Sequence, residues 1–333
     1  MKHIVYIGTH LKTGNPTTTE MLSSLLRSSG WIVDSFGRSK HKVSRFIEMC
    51  LGVLCNSSNI VLIDTYSTFN FYYALACGFI SKLKRTPYIL ILHGGNLPER
   101  LKKKTWYSEW LLKNASHIVS PSAFLQSEIS ALGHKVHVIP NPLDLKSYKF
   151  TKNRAKTPVL LWVRALQDIY NPKMAVEVLI EVKKTYPNSK LIMVGPDKDG
   201  SLENVKAFVQ KHNIEKDFRF TGGLPKQEWL NLSKDADVFL NTSKVDNAPV
   251  SVIEAMALGL PVVSTNVGGL PFMIENEENG LLVHTKEEMT AAVIKLLTDN
   301  ELYDKLVDGG REMALTYDSE KVVALWNKIL ISC

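Results

Sequence analysis

Asp246-Asn247-Ala248-Pro249-Val250-Ser251-Val252-Ile253-Glu254-Ala255-Met256-Ala257-Leu258-Gly259-Leu260-Pro261-Val262-Val263-Ser264-Thr265 sets an acid, a polar turn-forming segment and a second acid at the start of an apolar helix. A glycine and a strand of the buried type follow. Asp246 and Glu254, eight positions apart, flank Asn247, Ala248, Pro249, Val250 and Ser251, a run whose backbone N–H groups open the helix. Carboxylates accept hydrogen bonds from sugar hydroxyls, and a helix N-terminus attracts a diphosphate. The arrangement suits a sugar nucleotide.

The flanking sequence repeats this strand–helix alternation. Residues 159–163, 190–194, 218–221, 238–241, 261–264 and 280–283 read as strands, and 172–185, 201–211, 226–233, 251–258 and 286–298 as helices. The first half alternates in the same way, with strands at 4–8, 60–63, 88–92, 117–120 and 136–139 and helical patterns such as 17–28 and 122–132. Alternation of this kind predicts parallel sheets with crossover helices. The polar, basic stretch 149–158 divides the two series. The expected fold is α/β, with two doubly wound, Rossmann-like domains at 1–148 and 149–316. A C-terminal helix at 317–333 carries Val322, Leu325, Trp326 and Ile329 on one stripe and is expected to return to the first domain. Ligands of facing sheets of this type are expected in the cleft between the domains.

The chain's 333 residues amount to about two domains, and 45% apolar with 22% charged residues is ordinary globular composition. Cys50, Cys55, Cys77 and Cys333 form no Cys-x-x-Cys pair, and the first three read as small core residues of a reduced, cytoplasmic protein. The N-terminus reads as a first strand and not as a secretory signal. The apolar region 69–80 is too short to span a bilayer.

The residues of the second half resemble glycosyltransferase family 4, the retaining group 1 enzymes with the GT-B fold. The likeness rests on Asp246 to Glu254, on Gly259-Leu260-Pro261-Val262-Val263, on Gly268-Gly269 and on Asn279-Gly280-Leu281-Leu282-Val283. It implies that Glu254 binds the donor ribose and that Asp246, standing where the family usually has Glu, reaches the transferred sugar. Arg164, after the first strand of the second domain, matches the family's Arg that neutralises the departing diphosphate. The family's Lys is missing near Tyr170-Asn171; Lys173, Tyr170 or Asn171 are the candidate replacements. In the first domain, His93 at a strand end, before Gly94-Gly95, is placed near the donor sugar and the reacting centre. Gly14, in Thr13-Gly14-Asn15-Pro16-Thr17, matches the loop that approaches the donor phosphates, and Gly195 and Gly222 end strands around the nucleotide base. Asp197-Lys198-Asp199 and Asp235-Ala236-Asp237 have a metal-binding form used by another architecture and are read as loop and turn acids. No metal and no cofactor beyond the donor is expected.

The resemblance implies a sugar-nucleotide donor, with UDP preferred over GDP, held on the second domain. An acceptor hydroxyl attacks from the face the diphosphate leaves, and a phosphate oxygen takes its proton. A sugar-nucleotide epimerase or hydrolase of the same fold, and a non-catalytic nucleotide-sugar-binding protein, are the alternatives.

Charge is unevenly distributed. Residues 1–150 hold 18 Lys/Arg against 8 Asp/Glu, whereas the remainder holds 22 against 25. The cluster Arg38, Lys40, Lys42 and Arg45 and the run Arg100, Lys102, Lys103 and Lys104 suggest contact with an anionic membrane surface or the phosphates of a lipid-linked glycan acceptor. That reading places the protein at the cytoplasmic face of the cell membrane, in surface polysaccharide or glycoconjugate assembly. A plain solvated surface is the other reading. No recognition motif points to nucleic acid.

Overall fold

A computed structural model describes residues 2–10, 17–152 and 158–333. Gly14 lies outside the described residues. Along the chain run β1 (His3–Ile7), α1 (Thr18–Ser28), β2 (Ile32–Phe36), α2 (Lys42–Cys55), β3 (Ile60–Thr65), α3 (Asn70–Leu83), β4 (Tyr88–Leu92), α4 (Leu97–Lys102), α5 (Trp106–Asn114), β5 (His117–Ser120), α6 (Ala123–Ser130) and β6 (His137–Val138). The second series is β7 (Val159–Val163), α7 (Pro172–Thr185), β8 (Lys190–Val194), α8 (Ser201–Lys211), β9 (Phe218–Phe220), α9 (Lys226–Leu232), β10 (Val238–Asn241), α10 (Val250–Leu258), β11 (Val262–Thr265), β12 (Leu281–Val283), α11 (Lys286–Thr298), α12 (Asn300–Leu315) and α13 (Ser319–Ile331).

The chain forms two compact units, Met1–Leu143 with Tyr317–Cys333, and Asp144–Thr316. Each holds one six-stranded parallel sheet, ordered β2-β1-β3-β4-β5-β6 in the first and β12-β11-β10-β7-β8-β9 in the second. The chain leaves the first unit after Leu143, five residues before the expected boundary at 148, because Tyr148 is tied by its hydroxyl to Glu254 of the second unit.

Central strands of a parallel sheet are covered on both faces and read as apolar runs. YILIL of β4 and IVLIDT of β3 are buried throughout. Edge strand β2, IVDSF, alternates exposed and buried positions and carries Asp34, which is why it does not stand out in the sequence as the others do. Helix starts follow local chemistry. Thr17 and Glu20 form a reciprocal capping box on α1, and Pro172 occupies the first turn of α7, where no N–H is needed.

The first sheet has a core on each face. One includes Val5, Ile63, Phe71, Tyr88 and Leu111. The other joins Ile4, Tyr6, Ile60 and Leu62 to Val322, Trp326, Ile329 and Leu330 of α13. The apolar stripe of that helix thus includes Leu330, while Leu325 sits at its edge, 36% exposed. Of the cysteines, Cys77 is buried and Cys50 partly so, but Cys55, the last residue of α2, is exposed and not a core residue.

In the second unit the ends of β7, β8 and β9 are knitted by backbone contacts. Arg164 N–H donates to Val194 O at 3.0 Å, and Gly195 N–H to Gly222 O at 2.9 Å. Gly195 has φ of +150°, and a Cβ there would lie 1.7 Å from the Arg164 carbonyl oxygen. Only glycine allows the strands to meet this closely. We expect Gly195→Ala to destabilise the second unit by about 3 kcal/mol, read as a fall of about 6–12 °C in its melting temperature. A variant that melts with the wild type would show that the strand ends tolerate separation.

Candidate functional site

Open parallel sheets take ligands beyond the strand C-termini, where successive connections leave in opposite directions. In the second unit that point lies between β7 and β10. Arg164 directly follows β7, Asp246 lies in the loop from β10 to α10, and Glu254 is in α10. The topology brings the three together.

The Arg164 guanidinium pairs with Asp246 through Nη2 and Oδ2. The Ser243 hydroxyl donates to the same carboxylate oxygen at 3.2 Å, and the Asn247 N–H to the other at 3.0 Å. Arg164 also lies over the Tyr170 ring, 4.6 Å from its centroid. Its Nε–H is buried with no acceptor among the described residues. Gly268-Gly269 presses against this loop. Gly269 N–H donates to Asp246 O at 2.9 Å, and Cβ atoms on the two glycines would lie 1.9 Å from Asp246 O and 1.7 Å from Asn247 O.

Helix α10 starts at Val250, after Pro249. First-turn N–H groups have no intrahelical acceptor and carry the positive end of the helix dipole. Ser251, in that turn, is buried, and its hydroxyl has no partner among the described residues. Two unsatisfied buried donors, one on each side of the β7–β10 junction, therefore await an acceptor.

Glu254 Oε1 accepts a hydrogen bond from the Tyr148 hydroxyl at 2.6 Å, and Lys226 Nζ stands 3.6 Å away. Lys226 in turn sits over the Tyr148 ring at 4.6 Å. Burial pushes the Glu254 carboxyl above its ordinary range, against the pull of the Tyr148 hydrogen bond, Lys226 and Arg164. Burial and the neighbouring Glu254 together raise the Tyr148 hydroxyl, so it remains a donor.

Tyr148 and Lys226 do not emerge as site residues from the sequence. Lys226 begins α9 just after Gly222-Gly223-Leu224-Pro225, a loop the sequence does mark. Lys173, by contrast, is not brought to Arg164. Its ammonium lies over Phe208 of α8 at 4.7 Å and 3.7 Å from Glu177, because the second position of α7 faces the neighbouring helix. Asp199 accepts from the Asp168 and Ser201 N–H groups, Asp197 from Gly200, and Asp237 from Val159, so these acids tie loops and strand ends.

In the first unit the corresponding point lies between β1 and β3. Asp64 of β3 is buried there and accepts from Thr19 at 2.7 Å, from Tyr6 at 3.0 Å and from the His93 ring at 2.9 Å. A carboxylate only accepts, so the His93 ring donates to Asp64 through Nε2–H. The ring stacks on Tyr66 at 4.9 Å. Burial, with Asp64 beside it, holds the Tyr6 hydroxyl well above its usual range. The sequence does not single out Asp64, because its apolar strand, IVLIDT, looks like core.

Of the basic residues, Arg38, Lys40, Lys42, Lys103 and Lys104 are exposed. Arg45 is buried at 7% exposure over Tyr73, and Arg100 packs on Phe71 while donating to Ser67 O at 2.9 Å. Both arginines are therefore removed from the expected anion-contacting surface. Lys102 is paired with Glu99 and Glu128, at 2.7 and 3.1 Å, which offsets its charge.

Two doubly wound units, one with an arginine, an acid pair and a helix N-terminus at its switch point, define a two-domain α/β protein built to take a ligand at its strand ends. Comparison with known proteins makes this specific. The model of the glycosyl transferases group 1 matches residues 146–313, and that of glycosyltransferase family 4 matches residues 52–147. The chain belongs to the group 1 glycosyl transferases.

One component of the phosphatidylinositol N-acetylglucosaminyltransferase of Arabidopsis thaliana is 27% identical over 186 residues, 55% of this chain and 40% of that protein. The D-inositol 3-phosphate glycosyltransferase of Corynebacterium jeikeium is 29% identical over 186 residues, 50% of this chain and 44% of that one. The chain spans only about half or less of the length of such curated relatives. The fold is that of GT-B enzymes. Sucrose-phosphate synthase of Thermosynechococcus elongatus superposes with a TM-score of 0.78 over 100% of both chains at 17% identity. Anabaena Alr3699/HepE in complex with UDP-glucose gives 0.77 over 100% of both at 17% identity.

The two junction acids make this geometry testable. A carboxyl raised by burial binds its proton more tightly in the folded state, so Glu254 weakens the fold at pH values above its folded pKa and ceases to do so as pH falls. Glu254→Gln should therefore raise the melting temperature at neutral pH by about 1–3 °C, with the gain vanishing towards about pH 4. A gain independent of pH would mean that Glu254 is not held against its burial. Asp64→Asn should cost about 2–4 kcal/mol, because an amide nitrogen faces donors that need an acceptor. Wild-type urea stability in that variant would break the account of the Asp64 network.

Proposed function

We propose that the chain is a retaining glycosyltransferase that moves a sugar from a nucleotide diphosphate, UDP before GDP, to a glycan acceptor. The observation carrying this reading is the meeting of Arg164, the N-terminus of α10 and Glu254 at the β7–β10 junction in a member of this family. The donor diphosphate lies against the first-turn N–H groups of α10, with the Ser251 hydroxyl and the Arg164 Nε–H as its further donors. Glu254 accepts from the ribose hydroxyls, with Tyr148 and Lys226 holding it in place. Asp246, steadied by Ser243 and Asn247, faces the sugar.

In the transfer, the acceptor oxygen bonds to the anomeric carbon as the bond to the diphosphate oxygen breaks. The acceptor proton passes to the departing phosphate on the same face, which gives retention. Arg164 stabilises the charge that develops on that phosphate, an interaction of the kind worth about 100-fold or more in rate. His93 takes the role that the family resemblance implies, near the transferred sugar and the reacting centre. Gly195 and Gly222 shape the base pocket, and no metal or further cofactor takes part. The acceptor is lipid-linked, used in surface polysaccharide or glycoconjugate assembly at the inner face of the cell membrane. Among the described residues no helix is long and apolar enough to cross a membrane.

Calorimetry against UDP-, GDP-, ADP- and dTDP-sugars tests the donor. One donor should bind, and Glu254→Ala should weaken it at least about tenfold, the loss of a charged hydrogen bond. Arg164→Gln should weaken donor binding and, at saturating donor, lower kcat about 100-fold. NMR of the product should show the donor's anomeric configuration. Donor turnover without any acceptor would favour an epimerase or hydrolase, and tight binding with neither transfer nor hydrolysis a binding protein.

A further inference from the structure

Helices α2 and α3 lie side by side on the first sheet. Phe46 and Tyr73 meet at 5.5 Å between ring centroids, and the Tyr73 hydroxyl donates to Lys42 O at 2.9 Å. At the other end the Lys84 ammonium caps α2, donating to Val53 O, Leu54 O and Asn56 O at 2.7, 2.9 and 2.7 Å. Arg45, Met49, Gly52 and Val53 are the buried residues of α2. On the opposite side, Val43, Ile47, Leu51 and Leu54 recur at helical spacing and are 71%, 51%, 50% and 55% exposed. Phe79 and Leu83 of α3 extend the patch at 54% and 70%. A solvent-facing stripe of a globular helix is normally polar. This one is apolar across two adjacent helices, which marks an interaction surface.

Its fringe is basic. From Arg38 to His93 the chain holds Arg38, Lys40, Lys42, Arg45, Lys82, Lys84 and Arg85 against two acids, Glu48 and Asp64. Both acids are occupied inside the unit: Glu48 by the N–H groups of Gly37, Arg38 and Ser39, and Asp64 by Tyr6, Thr19 and His93. Lys40 and Lys42 stand at one end of the stripe and Lys82 and Arg85 at the other, all exposed. Trp106, 79% exposed at the start of α5, is the kind of side chain found at membrane interfaces.

We infer that this α2–α3 face seats the protein on an anionic lipid bilayer, the apolar stripe entering the headgroup region and the basic fringe meeting lipid phosphates. A second copy of the chain would bring like charges into contact, which disfavours that occupant. Two convex helices suit a fluid plane better than they suit an extended peptide. The inference extends the proposed membrane-borne acceptor by naming a surface, one that excludes Arg45 and Arg100 and is apolar at its centre.

Vesicle co-sedimentation of the full chain tests it, with phosphatidylcholine alone and with phosphatidylglycerol added. The wild type should bind the anionic vesicles at least tenfold more tightly than the neutral ones. Ile47→Asp with Leu51→Asp should lose that binding at least tenfold, while its melting temperature and donor affinity stay at wild-type values. Lys40→Glu with Lys42→Glu should lose the preference for anionic vesicles. Equal binding by wild type and the aspartate variant would overturn the inference. So would a wild type that ignores vesicles, whether it is monomeric or forms dimers that the aspartate variant dissolves. Donor affinity is read separately, so failure of the transferase reading and failure of this one are distinguishable.

Discussion

The second unit's site depends on one close approach, that of Gly268-Gly269 to the carbonyls of Asp246 and Asn247. The pair leaves no room for a Cβ at either position, and Gly269 N–H bonds the Asp246 carbonyl. This contact pins the loop between β10 and α10. Once pinned, the loop can do two things together: hold Asp246 against Arg164 and aim the first turn of α10 at the same space. A loop free to move would let the ion pair form anywhere and would take the helix N-terminus with it. Position, not affinity, is what the glycines supply, and in a site built on charge, position decides whether a dipole and a guanidinium act on one point or on two.

The two acids of this loop and helix have different fates. Asp246 sits beside a cation and two neutral donors, so its charge is matched on the spot. Glu254 is buried with one short bond from a phenol and a lysine at 3.6 Å, and the remaining imbalance appears as a raised carboxyl. An unbalanced acceptor of this kind gains most from a ligand that brings hydroxyl donors. The mirror case is the pair of unsatisfied donors, Arg164 Nε and Ser251 Oγ. A group short of donors and two short of acceptors are the complement of the sugar nucleotide proposed above, which carries hydroxyls at one end and anionic oxygens at the other.

Much of this was legible in the sequence because parallel strands read as apolar runs and sites sit at their C-terminal ends. Arg164, Asp246 and Glu254 could be picked out from strand ends and from a helix start. The limits of the reading follow from the same physics. Strand β2 is an edge, half exposed, with an acid inside it, and lacks the run that identifies the others. Tyr148 is 106 positions from Glu254, and Asp64 is 58 from Tyr6 and 29 from His93, so these bonds leave no local pattern. Arg45 and Arg100 failed as surface cations for a related reason. A long side chain can lay its stem and guanidinium on aromatic rings, and charge alone does not reveal that it has done so.

The junction acids of the two sheets contrast instructively. Asp64 has three donors, and its effect is to orient His93 through the bond to Nε2. Glu254 has too little compensation and remains receptive. A well-supplied acid makes a fixed support for its neighbours, whereas an under-compensated acid makes a binding group whose strength appears only when a partner arrives. The sequence labels both residues simply as acids; the difference between them is made by the phenols, threonine, lysine and imidazole that folding brings alongside.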